Sequence, residues 1–134
     1  MLKYTLLIFF VLFQSPFLFA GEQTKIVLHM NDSYKLDHLR SSVENIRSEL
    51  GNEAKLRVVI NGKAVQSMLI NDKTSAVIVN DILQKNVKIG LCHNAVRSNH
   101  VKKSMLIEGL DILPNDGNVT IINLKQEGYT YIKI

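Results

Sequence analysis

The fold is decided by short apolar runs that end in polar residues, as in Val87-Lys88-Ile89-Gly90-Leu91-Cys92-His93-Asn94. This run predicts a buried strand, and it ends at the only cysteine of the 134-residue chain. Two earlier runs have the same form. They are Ile26-Val27-Leu28-His29-Met30, followed by Asn31-Asp32, and Leu56-Arg57-Val58-Val59-Ile60, followed by Asn61-Gly62.

Helical patterns separate these strands. One amphipathic helix, capped within Asn31-Asp32-Ser33 and ended at Gly51, is predicted from apolar residues at steps of three and four: Leu36, Leu39, Val43, Ile46 and Leu50. A short helix is expected around residues 64–69 and a longer one over residues 74–85, with Thr74 as its cap. Beyond the cysteine, a further helix is expected to start at Ser98 or Asn99.

The last part of the chain allows two interpretations. Residues 110–113 predict a brief strand, and residues 129–134 predict the final one. Between them, residues 119–122 favour a strand that would form a hairpin, whereas Asp116 or Asn118 can cap a helix and Gly128 can end it. The alternation of strands and helices elsewhere favours the helix over residues 116–127. The predicted fold is a three-layer α/β/α sandwich with a mainly parallel sheet of about five strands.

The first 21 residues have the layout of a signal peptide. Lys3 precedes an apolar run over residues 4–13, and Leu18-Phe19-Ala20 offers a cleavage point near Ala20. We therefore expect a periplasmic or secreted protein whose single domain spans residues 22–134. Contact with a membrane is expected only through an uncleaved signal segment.

The distribution of charge argues against nucleic-acid binding. The net charge is +4, but the basic residues are dispersed, and the tightest cluster is Arg97 with Lys102-Lys103. No aromatic residues alternate with a basic stripe, which is the usual footprint of a nucleic-acid surface.

Most catalytic and metal chemistries lack a motif in this sequence. No serine lies in a nucleophile elbow, and no glycine-rich phosphate loop follows a strand. His29 and His93 with Cys92 lack the spacing of a metal site, and in a strand His93 would point away from its neighbour Cys92. No metal or cofactor is expected.

The carboxyl ends of parallel strands meet at one edge of a sheet, where α/β proteins bind ligands. Cys92 is the candidate reactive residue at this edge. The candidate rim consists of polar residues that follow the three strands: His29, Asn31, Asp32, Asn61, Gly62, His93 and Asn94.

From Lys25 to Ile134 the chain resembles the DsrE/DsrF-like family, in particular its small exported members. The matching pieces are Asn31-Asp32, Asn45-Ile46-Arg47, Val58-Val59-Ile60-Asn61-Gly62, the strand-end Cys92, and Leu124-Lys125-Gln126-Glu127-Gly128-Tyr129-Thr130-Tyr131-Ile132-Lys133. The resemblance implies a three-layer domain that forms trimers or hexamers and carries sulfur as a persulfide on Cys92. Two pieces depart from the family pattern: His93-Asn94-Ala95 after the cysteine, and Lys63-Ala64 after Gly62.

Two hypotheses about function follow. In the first, the protein is a sulfur-relay or thiol-active protein, at most a sulfurtransferase-like carrier, that exchanges sulfur with a donor or acceptor protein through Cys92. A nearby helix start, His93, Arg97 and His100 could stabilise its thiolate. In the second, the protein is a non-catalytic oligomeric module that binds a small ligand or a partner, and Cys92 is a buried filler.

Overall fold

The computed structural model describes residues 21–134, and the predicted signal peptide lies outside the described residues except for Gly21. The described chain forms one five-stranded sheet in the order β4-β3-β2-β1-β5, and every pair of neighbouring strands is parallel. The strands are β1 (Lys25–Met30), β2 (Lys55–Ile60), β3 (Val87–Leu91), β4 (Asp111–Ile112) and β5 (Thr130–Lys133).

Helices cover both faces of the sheet, which confirms the predicted α/β class. The α-helices are α1 (Leu36–Leu50), α2 (Lys73–Gln84), α3 (His93–Ser98) and α4 (Gly117–Gln126). Short 3₁₀ helices lie at Ser33–Lys35, Gly62–Met68 and Lys103–Met105. Within residues 21–134, none of the helices has the length and apolar character needed to span a bilayer.

The two faces of the sheet are covered very unequally. The larger core joins alternate residues of the strands, such as Leu28 and Val58, to helices α1, α2 and α3. Within the described part of the chain, the smaller core contains five buried residues: Val27, Val59, Leu113, Ile121 and Leu124. A fully buried Leu or Val contributes about 1.5–3 kcal/mol, so most of the hydrophobic stabilisation comes from the larger core.

The strand order explains this asymmetry. Strands β1 to β4 follow one another across the sheet, so their right-handed crossovers place α1, α2 and α3 on one face. The chain then returns from the β4 edge to the β5 edge, and this return places α4 alone on the other face. The predicted helix over residues 116–127 is therefore confirmed, and the hairpin alternative is excluded.

Two local predictions are wrong. Helix α3 ends at Ser98, where a helix was expected to start, because it begins directly after Cys92, which occupies its N-cap. Its six residues are too short to show a helical period in the sequence. Helix α2 is capped by Asp72 rather than Thr74, since the Asp72 carboxylate accepts a 3.1 Å bond from the Ser75 N–H.

Candidate functional site

Cys92 is held firmly at the junction of β3 and α3. Its N–H donates to the carbonyl of Ile60 at 2.8 Å, which continues the ladder between β2 and β3. Its own carbonyl accepts from the Val96 N–H at 3.0 Å and so closes the first turn of α3. The residue is 3% exposed. Cys92 therefore lies at the carboxyl edge of the sheet, as predicted, but in a largely buried position.

The Cys92 sulfur has two polar neighbours at the start of α4. The Gly117 N–H donates to Sγ at 3.2 Å, and the thiol donates to Oδ2 of Asp116 at 3.6 Å. A Cβ at position 117 would lie 3.1 Å from the Cβ of Cys92. A glycine at this position lets the backbone approach the sulfur closely, so the start of α4 lies directly against the thiol.

Asp116 carries a negative charge beside this thiol. Its pKa lies below the ordinary value, first because the Asn94 amide donates to Oδ2 at 3.0 Å and next because the Asn118 N–H donates to Oδ1 at 2.9 Å. The carboxylate repels a thiolate at Cys92, whereas the Gly117 N–H stabilises one. In the resting geometry, a protonated thiol satisfies both neighbours.

The thiol adjoins an open cavity of about 400 Å³. The cavity is lined by Asn61, Gly62, Cys92, Asn94, Ala95, Arg97, Ser98 and Asp116. Amide groups of asparagine and the guanidinium of Arg97 can donate hydrogen bonds to an anionic or strongly polar ligand in this cavity.

His29 lies beside this cavity and contacts it through Asn61. Its Nε2 lies 2.9 Å from Asn61 Oδ1, which only accepts, so Nε2 carries the proton. Its Nδ1 therefore accepts from the Tyr131 hydroxyl at 2.8 Å. The pKa of His29 is lowered, mainly because the ring is buried. The hydrogen bond to Asn61 raises the pKa, and the positive charge of Lys133 lowers it further. A neutral imidazole thus fixes the orientation of Asn61 at the cavity.

Six of the seven predicted rim residues are divided among three different cavities. Asn61, Gly62 and Asn94 lie with Cys92, whereas His29 lines a cavity with Tyr131 and residues of α4. Asn31 and Asp32 line a third cavity with Tyr34 and Lys63. His93 is exposed on the first turn of α3 and lines none of these cavities. The predicted rim is therefore brought together only in part.

Sequence reasoning missed Asp116 and Gly117 as neighbours of the thiol. It treated Asp116 only as a helix cap, a role that the structure also shows. The available signal was the position of Asp116 just after β4, because the end of that strand lies at the same edge of the sheet as Cys92.

The described residues contain no group of three His, Cys, Asp or Glu side chains that could hold a metal ion. Cys92 is the N-cap of α3 and His93 is its first residue, so the alternation of side chains along a strand does not apply to this pair. The arrangement is that of a single thiol with hydrogen-bonding groups around it.

Fold and site together define a parallel α/β domain with one cysteine at the carboxyl edge of its sheet. No family model and no curated protein matches the sequence. Solved structures with the same fold include the following three. One is MTH1491 of Methanobacterium thermoautotrophicum, described as a protein of unknown function, with 23% identity and a TM-score of 0.75 over 83% of this chain and 99% of that one.

The second structure is the ychN protein of E. coli, with 17% identity and a TM-score of 0.62 over 84% of this chain and 99% of that one. The third is BT1422 of Bacteroides thetaiotaomicron, a conserved protein of unknown function, with 16% identity and a TM-score of 0.66 over 82% and 94%. These similarities establish the fold of the described domain.

Proposed function

We propose that this protein is a DsrE/DsrF-like thiol-active carrier that holds one sulfur atom as a persulfide on Cys92. The main observation that supports the proposal is the position of the thiol. It lies at the carboxyl edge of a parallel sheet, beside an open cavity whose lining includes polar side chains, with a backbone N–H directed at its sulfur. The shared fold of the three solved structures is consistent with this proposal.

The proposed loading step is a displacement at sulfur. The Cys92 thiol gives its proton to water, and the thiolate attacks the outer sulfur of a donor persulfide. A new bond forms between Sγ and that sulfur, the S–S bond of the donor breaks, and the donor leaves as a thiolate. The Gly117 N–H at 3.2 Å stabilises the negative charge on Sγ before the attack.

Unloading follows the same chemistry in the opposite direction. A thiolate of an acceptor attacks the outer sulfur of the Cys92 persulfide, and Cys92 is regenerated as a thiolate. The chain contains a single cysteine, so the acceptor thiol belongs to another molecule. Donor and acceptor proteins are therefore the partners that this proposal requires.

Mass spectrometry of the native full chain tests the proposal. After incubation with a low-molecular-weight persulfide, we expect a mass gain of about 32 Da, one sulfur atom, that a reductant removes. The Cys92→Ser variant should gain nothing. A chain that stays unloaded, and whose thiol reacts with iodoacetamide only after denaturation, would contradict the carrier role.

One observation favours the second hypothesis, a binding module with a structural cysteine. Cys92 is 3% exposed and belongs to the larger hydrophobic core, as free cysteines often do. In that case Cys92→Ala should leave both the fold and ligand binding intact.

We further propose export to the periplasm or the medium, in keeping with the signal-peptide pattern, and assembly into a trimer or hexamer. Support for assembly comes from an edge patch, which we define as the partly exposed apolar residues of α4 and of the side of β5 that faces it: Val119, Ile122 and Tyr131. Exposed apolar residues beside an unpaired edge strand are typical of an interface between subunits.

A further inference from the structure

The sheet face on the side of α4 carries a second feature, far from the thiol along the strands. Helix α4 covers only part of this face, above residues such as Val27 and Val59. Side chains alternate along a strand, so Lys55 and Arg57 point to the same face as Val59. Lys88 lies directly opposite Arg57 in the register of β2 and β3 and points to that face as well. The part of the face that residues 21–134 leave uncovered is therefore basic.

This arrangement of charges is unfavourable for the folded protein alone. Arg57 and Lys88 are direct partners on adjacent strands, and like charges in such positions destabilise a sheet. The two ion pairs formed within residues 21–134 lie elsewhere, at Arg40 with Asp37 and at Lys85 with Asp81. Folding does not explain why the cations are placed together.

The same residues line a cleft of about 310 Å³. Its walls also contain Gln23, Asn52, Asn86 and Tyr129, and among the described residues Glu53 supplies the one carboxylate. Three cations and three amides thus converge on a space large enough for a small molecule.

Arg47 fixes two loops that border this cleft. It donates to the carbonyl of Ala54 at 2.7 Å and to that of Asn86 at 2.9 Å. These bonds tie the turn after α1 to the turn after α2. The walls of the cleft are therefore held in place without a ligand, which reduces the ordering that binding would require.

We propose that this cleft, which we call the basic cleft, binds a small molecule that carries oxyanion groups of the phosphate or sulfate type. The planar guanidinium of Arg57 matches two oxygens of such a group, and Lys55 and Lys88 supply point charges. The site lies at the amino ends of the strands, whereas Cys92 lies at their carboxyl ends, so this proposal is independent of the persulfide role.

Titration of the purified full chain with inorganic pyrophosphate, and separately with sulfate, tests the basic cleft. Calorimetry at constant ionic strength should show saturable binding that weakens as salt is added. Arg57→Gln and Lys88→Gln should each weaken it about tenfold, the loss expected for one hydrogen bond to a charged group. Cys92→Ser should bind like the parent chain.

Lys102→Gln is the matched control, because it removes one exposed positive charge outside the cleft. It should leave the affinity unchanged. Arg57→Lys keeps the positive charge and so distinguishes a loss of charge from a loss of fold. It should bind the anion more tightly than Arg57→Gln. The proposal would be overturned if neither anion showed saturable binding. It would also be overturned if Lys102→Gln lost as much affinity as Arg57→Gln, because that result indicates diffuse attraction to the whole surface.

Discussion

At the residue scale, the chemistry of Cys92 depends on two neighbours that act in opposite directions. The Gly117 N–H stabilises a negative sulfur, and the Asp116 carboxylate destabilises it. Both groups belong to the start of α4, so this one segment brings the hydrogen-bond donor and the negative charge to the sulfur. A protein that loads sulfur through this thiol must overcome the charge of Asp116 or move it away from the sulfur.

Asp116→Asn should therefore make the thiol more reactive. The change removes a negative charge 3.6 Å from Sγ and keeps the helix cap, because Asn caps a helix as well as Asp does. We expect alkylation by iodoacetamide near neutral pH to become about tenfold faster, which corresponds to partial relief of the repulsion. The measurement is the rate of alkylation followed by mass spectrometry.

Asp111→Asn is the control for that experiment, since Asp111 is an exposed carboxylate of β4 that does not line the cavity of Cys92. Its rate should equal that of the parent chain. An unchanged or slower rate in Asp116→Asn would show that the carboxylate does not restrain the thiol.

At the scale of elements, His29 joins three of them. It lies on β1, accepts a bond from Tyr131 on β5, and donates to Asn61, which directly follows β2. A protonated ring would place a donor on Nδ1, which now accepts, and its charge would face Lys133. The neutral ring is therefore part of the fold at this edge.

This arrangement predicts a pH dependence of stability. The pKa of His29 is lowered below 6.5 in the folded chain, so below pH 6.5 the unfolded chain binds the proton more readily. The contribution of the neutral His29 ring to the free energy of unfolding is complete above pH 6.5. It is lost as the pH falls through the lower pKa that His29 has in the folded state. Urea unfolding above and below that pH should show this loss, and His29→Gln should show a smaller one.

His38→Gln is the comparison variant, because His38 is exposed on α1. It should keep the pH dependence of the parent chain. If His29→Gln lost as much stability on acidification as the parent does, the bridge between the three elements would not be the source of the effect.

Elements with a clear period were predictable from the sequence, and the site was predictable only in part. Strands β1 to β3 and helix α1 follow from apolar patterns that local chemistry enforces, and Gly51 ends α1 with a φ of 71° as expected. Helix α3 was not predicted because six residues are too few to show a helical repeat of apolar positions. Asp116 escaped because it lies 24 positions from Cys92 and meets it only through the order of the strands.

At the scale of the whole molecule, the strand order separates two functional candidates. The carboxyl ends of the strands hold the thiol and its cavity, and the amino ends hold the basic cleft. The return of the chain from β4 to β5 produces both features. It brings Asp116 and Gly117 onto the thiol, and it leaves one helix to cover a face that could accommodate more. The strand order also leaves β5 at an edge of the sheet.

The edge patch leads to a prediction about assembly. Ile122 is 55% exposed on α4, and Tyr131 is 37% exposed on the edge strand β5. If copies of the chain associate through these elements, Ile122→Lys would bury a charge in the interface, which is costly without a partner. Light scattering coupled to gel filtration should show a trimer or hexamer for the parent chain and a smaller particle for Ile122→Lys.

Val77→Lys supplies the matched control, since Val77 is a similar aliphatic residue, 68% exposed, on α2 at the opposite face of the sheet. It should leave the assembly intact, and circular dichroism should show that both variants keep the parent's helix content. A monomeric parent chain would contradict assembly itself. Dissociation by Val77→Lys but not by Ile122→Lys would instead place the interface on the α2 face, away from the edge patch.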